Sequence, residues 1–567
     1  MQQLIECVPN FSEGRDMNII HQITDEIKKV EGVSLIDVDP GKATNRTVVT
    51  MVGTPDQIVE AAFLAIKKAQ ELIDMRKHKG AHPRFGATDV CPLVPVANIT
   101  MEEVIQYAHQ LAKRIGEELN IPIFCYEHAA QKEERKNLAT CRQGEYEALG
   151  ERITSEEWKP DFGSFKWNEE TQKSGATAVG ARNFLIAYNI NLNTTSTRRA
   201  NTVAFDIRER GRVKREGGSL TGKIIKDKDG NPINEPGLLK ATKGIGWYIE
   251  EYGIAQISLN LTDITVTSMH QAFDTACQRA TVAGLRVTGS ELVGVIPLKA
   301  MLDAGKYFLK KQNRSVGISD RELIKIAVKS LGLDELYPFD PDKKIIEYIL
   351  EKENKTTKKL VDMSLTDFVF ETASESPAPG GGSISAYLGA MGAALGTMVA
   401  NLSSHKRGWD DKCAEFSGWA EKGKHYHDEL LKMVDEDTNA FNKIMDAFQL
   451  PKQSESEKVI RKQTIEDATK YAIEVPFKTM ELCYNSMEVM FEMAKIGNQN
   501  SITDAGVGAI SARSGVLGAW LNVKINAKEL NDLTFVDNIL KDGQSIVKKT
   551  TQLEKDILNL VDQSINS

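Results

Sequence analysis

The chain is organised around a loop between a helical pattern and an apolar strand, and this stretch reads Gly80-Ala81-His82-Pro83-Arg84-Phe85-Gly86-Ala87-Thr88-Asp89-Val90-Cys91-Pro92-Leu93-Val94-Pro95. Proline and glycine at this density restrict the backbone and exclude a helix. Pro83 favours an extended conformation for His82, so a rigid loop would present this imidazole at the start of a strand. Such a histidine is a candidate general acid or base. A structural turn with a hydrogen-bonded histidine explains the local sequence equally well.

Strand and helix patterns alternate on both sides of this loop. Apolar periodicity predicts, in chain order, strand 4–8, helix 17–30, strand 33–38, strand 46–52, helix 55–75 and strand 90–94. This βαββαβ order is that of a ferredoxin-like unit. It returns between 183 and 289, where a charged, glycine-rich excursion at 211–236 interrupts it. The first half is therefore predicted to be α/β (α+β), with two ferredoxin-like subdomains and between them a groove that favours ligand binding.

The composition changes after about residue 320. A lysine-rich segment at 351–359 is typical of a linker, and beyond Met363 the strand patterns give way to helical periodicity. We therefore expect an all-α helical C-terminal domain. The expected divisions are 1–181 and 182–330 for the α/β subdomains, 331–362 for the linker and 363–567 for the helical domain.

Length, charge and cysteine use restrict the class of protein. A chain of 567 residues is too long for one core, and its net charge of −8 argues against nucleic acid as the main partner. The seven cysteines have no CxxC spacing, which fits a reducing compartment. The chain opens without a signal-peptide pattern, and charged or polar residues interrupt every apolar stretch of membrane-spanning length. We expect a cytoplasmic protein without a membrane segment.

A carboxylate and two arginines accompany His82. Asp39 ends a predicted strand, and strand ends in a split βαβ sheet can approach each other, so Asp39 could orient the imidazole. It also opens Asp39-Pro40-Gly41, a common turn. Arg46 and Arg84 flank the same region, and their planar guanidinium groups suit a substrate carboxylate. Both arginines could equally be solvated or salt-bridged.

A second candidate binding region combines small residues with asparagines. Gly175, Thr177, Gly180 and Arg182 belong to a segment of small residues that precedes a strand ending in Asn189-Ile190-Asn191-Leu192. Small residues let a flat ligand approach the backbone, and an asparagine amide offers a donor and an acceptor to a heterocyclic ring. Glycines before a strand are also common without any ligand.

In the helical domain, Pro377-Ala378-Pro379-Gly380-Gly381-Gly382-Ser383 leads into a helix of small residues. Free amides at a helix start can cradle an anion, although the Lys-Ser/Thr pair of a P-loop is missing. The small residues would equally permit tight helix packing. Carboxylates follow at 410–411 and 435–437. The first pair is typical of a helix start and the second group of a solvated helix face, but either could supply a proton donor. His425 and His427 lie two residues apart, on different helix faces, which argues against a metal site.

These residues alone fit either a bifunctional enzyme or an enzyme fused to a helical oligomerisation module. The motifs at Cys7–Gly14, Gly80–Pro95 and Gly175–Leu192 resemble the formiminotransferase family. Pro377–Ser383 and Met391–Gly396 resemble the cyclodeaminase family. In this order, they resemble the bifunctional formimidoyltransferase-cyclodeaminase family of histidine degradation, over essentially the whole chain.

The resemblance implies two consecutive reactions. The first half would transfer the formimino group of N-formimino-L-glutamate to N5 of tetrahydrofolate, and the second would close 5-formiminotetrahydrofolate to 5,10-methenyltetrahydrofolate and release ammonia. His82 matches the family's catalytic acid/base and Asp39 its carboxylate partner. One imidazole can take the proton from the attacking amine and deliver it to the departing nitrogen. Gly163 to Gly175 matches the family's folate-binding loop.

For the helical half, the resemblance implies an aspartate proton donor. Carried over without a gap, its position falls at Cys413, and a small shift reaches Asp411 or Asp410. We expect Asp411, with Asp435 and Asp437 as further candidates. An alternative is a monofunctional transferase with a non-catalytic helical domain for folate binding or oligomerisation. The presence of His82 and Asp39 argues against a third reading as a non-catalytic scaffold.

The resemblance also implies the ligands and the assembly. Tetrahydrofolate would be the co-substrate, carried as a polyglutamate, and no metal would be needed. The chain would form a homo-oligomer built from dimers of each domain type.

Overall fold

The computed structural model describes residues 3–42, 45–80, 84–218, 222–353 and 359–566. His82 therefore lies outside the described residues. The chain forms two compact units: the first contains 1–300 with 331–354, and the second contains 301–330 with 355–567.

The first sheet of the first unit has the strand order β3-β4-(β1, β2)-β5-β7-β6. Its members are β1 Leu4–Cys7, β2 Asn10–Phe11, β3 Ser34–Gly41, β4 Arg46–Gly53, β5 Thr88–Ala97, β6 Ile123–Glu127 and β7 Thr177–Ala181. The two short strands β1 and β2 both lie between β4 and β5, and every pairing among β1 to β5 is antiparallel. This is the predicted ferredoxin-like order, and β7 and β6 extend it in parallel.

Three helices cover one face of this sheet: α1 Met17–Lys28, α2 Pro55–Leu72 and α3 Met101–Leu119. The helices bury every second residue of the strands in one apolar core, which includes Ile5, Cys7, Val49, Met51, Cys91 and Leu93. Because side chains alternate along a strand, the intervening residues lie on the opposite face. Between β6 and β7 the chain forms a short 3₁₀ turn at Glu133–Lys136 and the helices α4 Leu138–Cys141, α5 Leu149–Ile153 and α6 Glu169–Ser174.

The second sheet repeats the βαββαβ order. Its strands pair antiparallel in the order β11-β12-β8-β13, and its elements are β8 Ile186–Leu192, α7 Thr197–Ile207, β9 Arg212–Val213, β10 Asn234–Glu235, β11 Thr242–Ile249, β12 Ile254–Leu261, α8 Met269–Val282 and β13 Val287–Val293. β9 and β10 form a separate hairpin within the excursion. Two ferredoxin-like subdomains are thus confirmed.

The region between the second sheet and the helical domain is more ordered than a linker. It contains α9 Leu298–Lys311, α10 Asp320–Leu331, α11 Pro341–Lys344 and α12 Ile346–Glu353. α10 and most of α9 belong to the second unit, where Lys306 pairs with Glu421 and Lys424 with Asp320. Residues 331–354 belong to the first unit. The expected boundaries 182–330 and 331–362 therefore do not coincide with these units.

The second unit is helical in its described part, as expected. It continues with α13 Leu365–Thr372, α14 Gly381–Ser404, α15 Cys413–Gln449, α16 Glu455–Ile496, α17 Ile502–Ala527 and α18 Leu533–Ile565. α14 and α17 pack backbone to backbone, since an added Cβ at Gly392 would lie 2.6 Å from the oxygen of Gly508. The small residues of α14 thus serve helix packing. By length and composition α14 could cross a membrane, but 61% of its most apolar window is buried in the unit, as in a core helix.

Candidate active sites

Asp39 lies on the face of the first sheet opposite α1, α2 and α3. Val38 packs against the apolar core and pairs with Val49, so the next residue, Asp39, points to the other face. Its side chain is exposed, and no described residue forms a hydrogen bond or an ion pair with the carboxylate. The carboxylate is therefore available to a ligand or to the loop at 81–83, and its expected pairing with His82 stays a prediction.

Arg46 is part of a buried ionic network at the same sheet. Its Nη1 lies 2.8 Å from Asp89 Oδ2, and its Nε and Nη2 donate to Asn10 Oδ1 at 3.0 and 2.7 Å. Arg142 pairs with the same oxygen of Asp89, which is 1% exposed. A buried carboxylate between two guanidinium groups fixes their positions. Substrate contact by Arg46 stays a prediction, and in the structure its guanidinium group binds Asp89 and Asn10.

Arg84, which follows the segment 81–83, binds the backbone that precedes this segment. Its Nη1 donates to the carbonyl oxygens of Met75 at 2.9 Å and His78 at 2.6 Å, and its Nε donates to Glu147 at 2.9 Å. The buried His78 contacts the carbonyl oxygen of Asn45 through Nε2 at 2.8 Å, while its Nδ1 has no hydrogen-bond partner among the described residues. His78 was not among the predicted site residues, although it lies close to His82 in the sequence.

Glu6 is a buried carboxylic acid on the same face of the first sheet as Asp39, within a strand predicted from apolar periodicity. It is 4% exposed, and burial raises its pKa to about 7, an effect that the charge of Arg182 partly offsets. Arg182 follows β7, where its backbone amide donates to Leu93 and its Nη1 to the oxygen of Asn183. Beside them, Gly180 leaves room for the ring of Tyr126, which an added Cβ would approach to 2.5 Å.

Three of the predicted folate contacts have internal packing partners. Gly163 has φ +84°, and an added Cβ would lie 2.0 Å from the oxygen of Ile121. Gly175 has φ +65°, and an added Cβ would lie 2.4 Å from the oxygen of Phe85. The Thr177 hydroxyl donates to the oxygen of Thr88 at 2.7 Å. These contacts explain the residue types without a ligand.

Asn189 and Asn191 belong to a polar network on the second sheet. Their side-chain amides donate to Glu291 at 3.1 Å and Glu335 at 2.5 Å, respectively. The buried Gln256 donates to Asn191 and to Glu291, and its Oε1 has no hydrogen-bond partner in the described part of the chain. The carboxylate of Glu291 thus accepts from the side-chain amides of Asn189 and Gln256. Sequence spacing could not show this network, because its hydrogen-bonded partners are between 35 and 144 residues apart.

The start of α14 contacts a carboxylate from α15. The amide of Ser383 donates to Asp437 Oδ2 at 2.9 Å, and its hydroxyl donates to the same oxygen at 3.1 Å. Gly382 permits this approach, since an added Cβ would lie 1.9 Å from Asp437 Oδ1. Burial raises the pKa of Asp437, and the two hydrogen bonds from Ser383 oppose the shift. The predicted anion cradle therefore already holds an internal carboxyl group.

The other two candidate proton donors of the helical unit, Asp435 and Asp411, lie apart from each other. Asp435 accepts from the amide of Leu360 at 2.6 Å, and burial raises its pKa. Asp411 is exposed in the 3₁₀ turn before α15. Asp437 is 24 residues beyond the first residue of α15, so at 1.5 Å per residue about 36 Å separates it from that end of the helix. The structure brings Asp437, and not Asp411, to Gly380–Ser383.

Three family models cover most of the chain. The model described as the formiminotransferase domain, N-terminal subdomain, matches residues 4–182, the formiminotransferase domain matches 187–351, and formiminotransferase-cyclodeaminase matches 364–545. A formimidoyltransferase-cyclodeaminase from Dictyostelium discoideum is 42% identical over 561 residues, which are 99% of this chain and 99% of the relative. The chain belongs to the formimidoyltransferase-cyclodeaminase family.

Two further relatives show how the formimidoyltransferase-cyclodeaminase family divides along the chain. The Rattus norvegicus formimidoyltransferase-cyclodeaminase is 41% identical over 535 residues, 94% of each chain. A glutamate formimidoyltransferase from Streptococcus pyogenes serotype M1 is 39% identical over 313 residues, which are 55% of this chain and 95% of the relative. The first half thus resembles a protein that exists separately, and the family expected from the motifs is confirmed.

In this member of the formimidoyltransferase-cyclodeaminase family, the two candidate sites belong to different units. Asp39, Glu6 and Arg182 lie within the match to the N-terminal formiminotransferase subdomain, and Ser383 and Asp437 within the match to the formiminotransferase-cyclodeaminase model. Each site thus falls in the part of the chain whose family model carries the corresponding activity in its name.

Proposed function

We propose that this chain is a bifunctional folate enzyme of histidine degradation, a glutamate formimidoyltransferase and a formimidoyltetrahydrofolate cyclodeaminase. It transfers the formimino group from N-formimino-L-glutamate to tetrahydrofolate, giving 5-formiminotetrahydrofolate and L-glutamate. It then cyclises that product to 5,10-methenyltetrahydrofolate and releases ammonia. The observation that carries the proposal is the match of both halves to the family, together with a separate carboxylate site in each unit.

In the transferase site, we assign acid/base catalysis to His82 with Asp39 as its carboxylate partner. The N5 amine attacks the amidine carbon, His82 takes the amine proton and delivers it to the glutamate nitrogen, and the bond between that nitrogen and the carbon breaks. The exposed carboxylate of Asp39 without a described partner supports this role. Arg84 supports it by anchoring the backbone beside the loop.

Folate recognition in this proposal combines direct contacts with positioning. Gly180 and Arg182 lie on the polar face of the first sheet and are proposed to contact the ligand, as are Asn189 and Asn191 through the network around Glu291. Arg46 and Thr177 are assigned to positioning because their side-chain donors bind neighbouring residues of the first sheet. Gly163 and Gly175 are assigned to positioning because their positive φ angles fit turns.

For the cyclodeaminase site, we propose the start of α14, Gly380–Ser383, together with Asp437. Ring closure requires attack of folate N10 on the formimino carbon and a proton for the departing ammonia. A buried carboxyl group whose pKa is raised retains its proton at higher pH than an exposed one, which suits Asp437 to this delivery. Asp435 is a neighbouring alternative donor, and Asp411 would require a site at the other end of α15.

We also propose a homo-oligomer in which a second copy covers the apolar stripe of α14 and α17. The stripe consists of large exposed apolar side chains on two packed helices, Leu388, Met391, Met398, Leu402, Val507, Ile510, Leu521 and Ile525. A patch of this extent marks an interaction surface. Tetrahydrofolate is proposed as a polyglutamylated co-substrate, without a metal, and the location as cytoplasmic.

A turnover assay tests the proposal. The purified chain is mixed with tetrahydrofolate and N-formimino-L-glutamate, methenyltetrahydrofolate is followed by absorbance, and glutamate and ammonia are quantified. Equal amounts of the three products support two working sites. Glutamate without catalysed ammonia release would favour the alternative, a monofunctional transferase with a non-catalytic helical domain. Absence of glutamate formation would refute the proposed function.

A further inference from the structure

A basic cavity lies on the helix side of the second sheet. It has a volume of about 750 Å³, within the range of small-molecule sites. Five cationic side chains line this cavity. Among the described lining residues there is one carboxylate, that of Glu235. The five are Arg198, Arg208, Arg212, Lys214 and Arg215. This concentration of positive charge contrasts with the net charge of −8 of the whole chain.

One wall of this cavity, here called the α7 pocket, is a single face of α7. Arg198, Asn201, Thr202 and Phe205 recur at helical spacing along that face, and Arg208 continues it just beyond the helix end. The opposite face of α7 is buried, through Ala200, Val203, Ala204 and Ile207. Residues 212–215 of the excursion form the facing wall. The pocket therefore lies apart from the network of Asn189 and Asn191, which occupies the other face of the sheet.

Two arginines are fixed in place around the pocket. Arg208 donates through Nε to the oxygen of Gly211 at 2.9 Å and through Nη1 to the oxygen of Gly244 at 3.2 Å, and its guanidinium lies 3.8 Å from the ring centroid of Phe205. Arg212 pairs with Asp206. Such fixed groups bind an anion without losing further side-chain freedom.

Four of the five cationic side chains of the pocket have no carboxylate partner among the described residues. Among the described residues, no carboxylate lies within 4 Å of the cationic groups of Arg198, Arg208, Lys214 or Arg215. The carboxylate of Asp206 pairs with both Arg212 and Arg279, so its single negative charge is already shared between two guanidinium groups. Burial and the neighbouring charge of Arg210 lower the pKa of Arg208. An anion in the pocket would relieve this repulsion.

We propose that the α7 pocket binds a small organic polyanion, a molecule with two or more phosphate or carboxylate groups on a compact apolar body. The cationic side chains provide several independent anion contacts, and guanidinium groups bind both phosphate and carboxylate in a bidentate manner. Phe205, Val213 and Ile225 provide an apolar surface for the body of the ligand. This site is separate from both proposed active sites and would operate in addition to them.

Isothermal titration calorimetry of the full chain tests the α7 pocket, with sodium tripolyphosphate and citrate as separate probes for the phosphate and carboxylate classes. We expect saturable binding of at least one probe, weakening with added salt. The double variant Arg198→Glu with Lys214→Glu should weaken it at least tenfold. Neither side chain forms a hydrogen bond or an ion pair with a described residue, so the fold should tolerate the change.

The matched control is Arg199→Glu with Lys226→Glu, which alters the charge by the same amount at exposed positions outside the pocket lining. It should change the affinity less than twofold. Thermal unfolding gives a second readout, since the probe should raise the Tm of the wild type and of the control but not of the pocket variant. Absence of saturable binding for both probes, or equal weakening in both double variants, would overturn the proposal.

Discussion

Replacing Gly382 with alanine perturbs the contact between the start of α14 and Asp437. The added Cβ would lie 1.9 Å from Asp437 Oδ1 and 2.4 Å from its Cγ, so the carboxylate has to move. This movement breaks the hydrogen bonds from the amide and the hydroxyl of Ser383, a residue that is fully buried. A buried amide would then lack a partner.

The expected loss of stability follows from these two bonds. Hydrogen bonds to charged groups contribute about 1.5–3 kcal/mol each, and because these two share one acceptor oxygen we expect about 3–4 kcal/mol for the pair. The higher helix propensity of alanine offsets about 1 kcal/mol of this loss in the free energy of unfolding. The free energy of unfolding of the second unit should therefore fall by about 2–3 kcal/mol.

Urea unfolding and the rate of ammonia release measure the effect. The control is Gly381→Ala, where the nearest atom to an added Cβ is Asn522 Nδ2 at 3.5 Å, an ordinary contact. It should leave the free energy of unfolding within about 1 kcal/mol of wild type. Ammonia release from 5-formiminotetrahydrofolate should fall in Gly382→Ala, with glutamate formation retained. Equal unfolding midpoints for the two alanine variants would refute the proposed geometry.

Three further predictions concern single carboxyl groups. Because burial raises the pKa of Glu6 to about 7, its contribution to stability is present at low pH and is lost as pH rises through 7. Between pH 4.5 and 8 the free energy of unfolding of the wild type should fall by about 3 kcal/mol because of this group, and that of Glu6→Gln should not. Urea unfolding across this pH range measures the difference, and identical pH profiles for the two proteins would contradict the prediction. Asp39→Asn should lower the kcat of glutamate formation by about 100-fold while ammonia release from supplied 5-formiminotetrahydrofolate persists. Asp437→Asn should lower that ammonia release by about 100-fold and Asp411→Asn should not; the reverse result would assign the proton donor to Asp411.

The strand order was predictable because the apolar alternation of each ferredoxin-like unit is local. One strand was harder to predict, namely β11, Thr242–Ile249. Gly244 and Gly246 weaken the strand pattern there. They are needed because α7 packs closely on β11, where an added Cβ at Gly246 would lie 2.3 Å from the amide nitrogen of Asn201.

The candidate sites were predictable only in part. Loop composition singled out Gly380–Ser383, but the partner carboxylate lies 54 residues further along, and three acidic residues in succession gave no reason to prefer Asp437. Glu6 was missed because a single acid within an apolar strand does not change its periodicity. The pairing of Arg46 with Asp89 likewise depends on the register of β4, β2 and β5, which a single sequence does not show.

The central claim is that the two reactions occur at separate sites in the two units. The most direct test is the His82→Ala variant, given N-formimino-L-glutamate with tetrahydrofolate in one experiment and 5-formiminotetrahydrofolate in another. We expect no glutamate in the first experiment and ammonia release at the wild-type rate in the second. Loss of both activities in a folded variant, or ammonia release by the wild type no faster than without protein, would contradict the claim.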